Sequence, residues 1–227
     1  MINEYYRPKS IEDAVKLLTD PEKSLKPLGG GTSLSRRRAG GFGVVDLQDT
    51  GLDQIDTHSQ KIKVGAMVRF DALLEHPDIN AEIKRAIRIE SSQNIRNMAS
   101  LGGWLVSSDG RSIISTLLLA LDATLIWEPK GDSIRIGDWL PLREDESPGV
   151  LITQVEWSLK PQLVFEYVAR SPKDRPFLIV AVAQWGSGRS RIALGGYGKA
   201  PVISSSSNSV GKGPLPTRVQ YALKIPK

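Results

Sequence analysis

The stretch KPLGGGTSLSRRR at residues 26–38 places Gly29, Gly30 and Gly31 after an apolar Leu28 and ahead of Thr32, Ser33 and Leu34. Glycines lack a Cβ, so such a run lets the backbone approach a ligand and turn successive amide hydrogens toward a phosphate. The Thr32 and Ser33 hydroxyls add donors, and a short helix begun at Leu34 would favour the same anion. A second run, SLGGWL, offers Ser100, Leu101, Gly102 and Gly103. Structural turns are the competing reading of both runs, because glycine also serves wherever a positive φ is needed.

Other chemistries are thinly supplied. His58 and His76 are the only histidines and no H-E-x-x-H pattern occurs, which argues against a zinc hydrolase or a His-based triad. The chain has no cysteine, which excludes disulfides, thiolate metal sites and any iron–sulfur cluster held by this chain itself. Neither G-x-G-x-x-G nor G-x-x-x-x-G-K-[ST] is present. No catalytic side chain and no metal ligand set stand out, so the chemistry belongs to a cofactor.

The net charge of +5 has its densest focus at Arg36, Arg37 and Arg38. No aromatic residue interrupts that run to stack on bases, and the other cations are scattered among 25 acidic residues, so no nucleic-acid role is expected. No apolar run approaches the roughly 20 residues of a membrane span, and the N-terminus lacks the basic-then-apolar order of a signal peptide. A cytoplasmic protein with no membrane span is the expectation.

These residues need elements to hold them. Ser10 three residues before Asp13, with Ile11, Ala14, Val15 and Leu18 on one face, predicts a capped helix over 11–18. SLKPL and FGVVDL predict strands on either side of the glycines, and KIKVGAMV another. A short helix is expected near 70–74 and a longer one over 79–90, followed by a loop through NIRNMASLGGWLVSSDG and a buried helix over 112–120. ATLIWEP, DSIRIGDWL and VLITQVEWSL predict a meander of strands, and LVFEYVAR, FLIVAVAQWG and SRIALGGYG three more beyond a boundary at Pro161. SSSSNSVGKGPLP predicts loop. Without regular β-α-β alternation, the fold class is α+β rather than a doubly wound sheet.

LGGGTSL, VVDLQDTGLDQI, IKVGAMVRFDALLEHP, SSQNIRNMASLGG and LLLALDATL, in this order and spacing, resemble the FAD-binding subunit of molybdenum hydroxylases, the xanthine dehydrogenase and carbon monoxide dehydrogenase family. The likeness runs from Tyr5 to about Pro161, and FEYVARSPKDRPFLIVAVAQ with RIALGG resembles that family's C-terminal domain. It implies a FAD-binding domain over 1–160, with subdomains of about 1–56 and 57–160, and a shortened C-terminal antiparallel sheet domain over 161–227. It implies that Leu28 to Leu34 form one diphosphate loop and Ser100 to Gly103 another, with Leu101 near the flavin ring. It implies as partners an iron–sulfur small subunit and a molybdopterin large subunit, with electrons passed on to NAD, a quinone or oxygen.

The chain departs from that pattern in places. The family usually has Asn after the glycine pair and, roughly ten residues on, Asp; here these positions are Trp104 and Ile113, with Asp109 in between. Indole has one donor and no acceptor, so Trp104 does not replace an amide. Asp109 substitutes from a shifted loop or is simply a turn residue. Trp104 is alternatively a core anchor, and Arg170 and Asp174 either approach the flavin edge or are surface charges. A flavin-free scaffold subunit of the same ancestry is therefore the alternative function. A sheet of three strands would leave an apolar face bare, which calls for a partner subunit or a second copy of the chain.

Overall fold

The computed structural model describes residues 2–34, 41–143, 149–172 and 174–207. The Arg36–Arg38 cluster and the Ser/Gly/Pro-rich stretch beyond residue 207 lie outside them.

The chain opens with β1 (Ile2–Tyr6), α1 (Ile11–Leu18), β2 (Leu25–Leu28) and β3 (Phe42–Asp46). The strands form a parallel sheet in the order β1-β3-β2, with every residue of β3 buried. Ser10 caps α1 by accepting from the Asp13 amide at 3.1 Å. Ala14 on its inner face joins Val45, Leu47, Leu52, Met67 and Leu151 in a small core.

Next come β4 (Ile55–His58), β5 (Lys61–Gly65), α2 (Phe70–Glu75), α3 (Ala81–Glu90), α4 (Gln93–Met98), α5 (Leu101–Ser107), α6 (Ile113–Ala120), β6 (Thr124–Glu128), β7 (Asp132–Arg135), α7 (Ile136–Trp139) and β8 (Leu151–Ser158). Their strands pair antiparallel in the order β4-β5-β8-β6-β7. β9 (Gln162–Val168), β10 (Leu178–Gln184), β11 (Ser190–Gly196) and β12 (Val202–Ser207) form a third, antiparallel sheet in the order β12-β11-β10-β9. All eight residues of α6 are buried, and the helix lies against α3, α7, β10, β11 and β12. One large core joins α6 to Ile62 and Val64 of β5 and to Phe165, Ile179 and Ala193 of the third sheet. The opposite face of that sheet leaves Val164, Leu178 and Val202 exposed. Among the described residues no helix is long and apolar enough to cross a membrane.

This is the expected α+β class; strands β1 and β4 were not expected, and three further segments differ from expectation. The segment expected as a loop around the second glycine pair is helical: each glycine costs a helix about 1 kcal/mol, but Gly102 packs where a Cβ would lie 2.8 Å from that of Ala66. DSIRIGDWL is strand only through Arg135 and then turns into α7, whose Ile136 and Trp139 are buried. The third sheet has a fourth strand, β12, from serines that resemble a loop by composition; a polar edge strand suits a sheet border facing water.

Glu90 ties α3 to the start of α6. Its carboxylate accepts from the Ile114 amide at 2.8 Å and from the Ser112 hydroxyl at 3.3 Å. Burial of the carboxyl pushes its pKa from 4.5 up to about 7, against the opposing pull of those hydrogen bonds and of the Arg175 charge. A raised carboxyl pKa means that the folded state holds the proton better than the unfolded chain. Stability is therefore expected to fall as pH rises from about 4.5 to about 7, by on the order of 3 kcal/mol from this group. Glu90→Gln should flatten that slope, read as urea midpoints at about pH 5 and about pH 8.

Candidate functional site

Residues 29–34 after β2, helix α5, the β5–α2 connection and the start of β8 line a half-open cavity of about 740 Å³. Gly29, Gly30, Gly31, Thr32, Ser33 and Leu34 line one side, and Ser100, Gly102, Gly103, Val106 and Ser107 the other. Met67, Trp127, Leu151 and Ile152 contribute apolar wall, and Lys26 is the one charged lining residue among those described. The volume falls within the roughly 300–1,000 Å³ of small-molecule and cofactor sites.

The two glycine runs differ in what they have to spare. Among the described residues, none of the six amides from Gly29 to Leu34 donates a hydrogen bond within the chain. In the second run the amides are engaged: Leu101 donates to the Val68 carbonyl and Gly102 to that of Ala66, both at 2.9 Å. Gly103 donates to Ser100 Oγ at 3.3 Å and Trp104 to the Ser100 carbonyl at 2.9 Å. Free donors therefore concentrate on the first loop, while the second shapes the wall.

Glycine is required in the first loop because the two runs touch. A Cβ on Gly29 would lie 2.5 Å from Ser100 Oγ, and one on Gly30 would overlap the Met98 carbonyl oxygen. Gly31 alone among them has a left-handed backbone, at φ +70.

The other sequence candidates lie off the cavity. Leu28 ends β2, with its Cδ1 3.6 Å from where a Cβ on Gly31 would stand. Leu101 is buried in the main core. Asp109 accepts from the Arg111 amide at 2.9 Å, from the Arg111 side chain at 2.7 Å and from Arg175 at 2.9 Å, an arrangement that holds its pKa below the ordinary aspartate value despite partial burial. Its neighbour Gly110 packs so closely on the β11–β12 connection that a Cβ would lie 2.8 to 3.1 Å from three carbonyl oxygens. Trp104 turns inward: its ring centroid is 5.1 Å from that of Phe70, and its Nε1 donates to Ser112 Oγ at 3.2 Å. Ile113 is fully buried, and neither Arg170 nor Asp174 lines the cavity.

Sequence reasoning missed Lys26, Met67, Val106, Ser107, Trp127 and residues 150–152. Lys26 stood beside the first glycine run and Val106 and Ser107 directly after the second, whereas Met67, Trp127 and residues 150–152 reach the cavity by tertiary packing. Trp127 is 4 % exposed, and its Nε1–H is buried with no acceptor among the described residues. Free amides, a loop that excludes side chains and an apolar wall together fit a cofactor that pairs a diphosphate with a flat ring. Among the described residues no group of His, Asp or Glu side chains is placed to hold a metal ion.

Comparison with known proteins agrees with that chemistry. The chain is 28% identical to the protein YgfM of Escherichia coli (strain K12) over 198 residues, covering 86% of this chain and 75% of that one. It is 26% identical to the glyceraldehyde dehydrogenase medium chain of Sulfolobus acidocaldarius over 228 residues, covering 92% and 81%. In three dimensions it resembles a chain of the Cu,Mo-CO dehydrogenase with a TM-score of 0.79 at 27% identity, covering 89% of this chain and 78% of that chain. Residues 1–157 match the model of the FAD binding domain in molybdopterin dehydrogenase, and the chain belongs to that family of oxidoreductase components.

Proposed function

We propose that this chain is the FAD-bearing electron-transfer subunit of a molybdenum hydroxylase complex. It would receive electrons from iron–sulfur clusters on a small subunit, themselves fed by a molybdopterin large subunit, and pass them to NAD, a quinone or oxygen. The observation that carries the reading is the row of six amides from Gly29 to Leu34, with no acceptor among the described residues, over a cavity with an apolar wall. Bound FAD would supply the redox chemistry, while the protein positions it and keeps side reactions out. The Gly29–Leu34 amides and the Thr32 and Ser33 hydroxyls would hold the diphosphate, and Met67, Val106 and Leu151 would pack on apolar parts. The absence of cysteine leaves the clusters to a partner. The relative named a medium chain and the Cu,Mo enzyme chain support a place in such an assembly.

Titrating the purified chain with FAD, followed by flavin absorption and fluorescence quenching, tests the reading. Near one flavin bound per chain is expected. No binding in excess FAD, alone or with the partner subunits present, would leave the flavin-free scaffold.

Lys26 is half-buried, with Nζ 5.0 Å from the Phe42 ring centroid and no ion-pair partner among the described residues. Lys26→Met is expected to weaken FAD binding by about tenfold at low salt, with the gap narrowing at high ionic strength. Riboflavin, which lacks phosphate, should bind both forms alike.

A further inference from the structure

α6 is followed by Leu121 and then Asp122, whose backbone is left-handed at φ +58. The Asp122 side chain is 11% exposed and meets three guanidinium groups. Arg191 Nη1 lies 2.6 Å from Oδ1, while Arg189 Nη2 and Arg135 Nη1 lie 2.8 and 3.2 Å from Oδ2. The arginines come from separate places: the end of β7, the β10–β11 turn and β11.

The charges do not balance. Arginine stays protonated, so three guanidiniums against one carboxylate leave a net charge of +2, and no other carboxylate among the described residues forms an ion pair with any of the three. Donors are in surplus as well: each guanidinium has five N–H groups, whereas a carboxylate offers roughly four lone-pair positions. Among the described residues the Nε atoms of Arg189 and Arg191 are buried without an acceptor, and Asp122 Oδ1 meets Arg191 Nη1 as an ion pair without a hydrogen bond.

Gly137 leaves room for Arg191, since a Cβ there would lie 3.3 Å from Nη2. Arg189 lies over the Trp185 ring at 4.6 Å. Side-chain exposure rises from 12% at Arg191 through 35% at Arg189 to 62% at Arg135. We propose that Arg135, Arg189 and Arg191 form an oxyanion site, built around Asp122 and separate from the cavity, that takes a carboxylate or phosphate group through the guanidinium donors Asp122 leaves unused. The group would come from an acidic side chain of a partner polypeptide or from free phosphate.

The test is calorimetric titration of the full chain with inorganic phosphate and, separately, with hexaglutamate, at one fixed ionic strength. An Arg135→Ser, Arg189→Ser double variant removes two of the more exposed members and should weaken binding by at least about tenfold. Asp122→Asn removes the competing carboxylate and should tighten it. Variant-sensitive binding of phosphate alone would identify a phosphate site, and of hexaglutamate alone a carboxylate site. Binding of neither probe, or binding that the double variant leaves unchanged, would overturn the proposal, because the heat would then belong elsewhere on this basic chain. Circular dichroism melts of the double variant check that it is folded.

Discussion

Replacing Gly30 by alanine is expected to abolish flavin binding at micromolar FAD and to destabilise the chain by about 1–3 kcal/mol or more. The added Cβ would overlap the Met98 carbonyl oxygen, so the first loop and the segment before α5 would have to separate. That separation widens the cavity where the two runs meet, and it moves the free amides relative to the wall that Ser100 and Gly102 provide. Gly31→Ala is the informative control. Gly31 has positive φ, but the nearest atom to its Cβ would be Leu28 Cδ1 at 3.6 Å, so backbone strain of about 1 kcal/mol should appear without a clash. Fluorescence titration of both variants, with urea unfolding alongside, separates the effects. Unchanged FAD affinity in Gly30→Ala would refute the close-contact account of this loop.

Phe70→Ala should cost about 3–5 kcal/mol, the largest loss expected from a single side chain near the site. Phe70 is fully buried and packs on Trp104, its amide donates to the Ala99 carbonyl at 3.2 Å, and Leu101 returns a hydrogen bond to Val68. Its removal therefore loosens the approach to α5 as well as the core, and flavin affinity should fall with stability. Trp104→Asn, which installs the residue usual at this place in the family, should cost less because Trp104 is only half-buried. It should bring no gain in FAD affinity, since the Trp104 side chain packs against Phe70 and Ser112 rather than lining the cavity. Tighter flavin binding by Trp104→Asn would show that this position does face the ligand.

Much of this architecture was legible because local signals and tertiary demands coincide. Ser10 and Asp13 announce α1, the apolar stretch over 112–120 announces α6, and the alternation in VLITQVEWSL matches the buried Leu151, Val155 and Trp157 of β8. Helix α5 was not legible: a glycine pair lowers helix propensity, and the Ser100 cap, the buried Leu101 and Leu105 and the packing of Gly102 on Ala66 offset that loss. Strand β12 was hidden in a serine run that pairs because β11 offers it an edge. In the site, the first glycine loop stood out by composition, whereas Met67, Trp127 and residues 150–152 carry no local mark and arrive from segments distant in sequence. The spent amides of the second run were equally invisible, since their acceptors are the carbonyls of Ala66 and Val68.

The full burial of α6 also bears on how the chain is made. The strands that cover this helix, β10 to β12, begin nearly sixty residues after it ends. During synthesis, therefore, eight residues that include three consecutive leucines leave the ribosome with α3 behind them but well before the sheet that completes their cover exists. Nascent chains arrested near Pro161 are expected to bind chaperones or aggregate, while chains released after β12 do not.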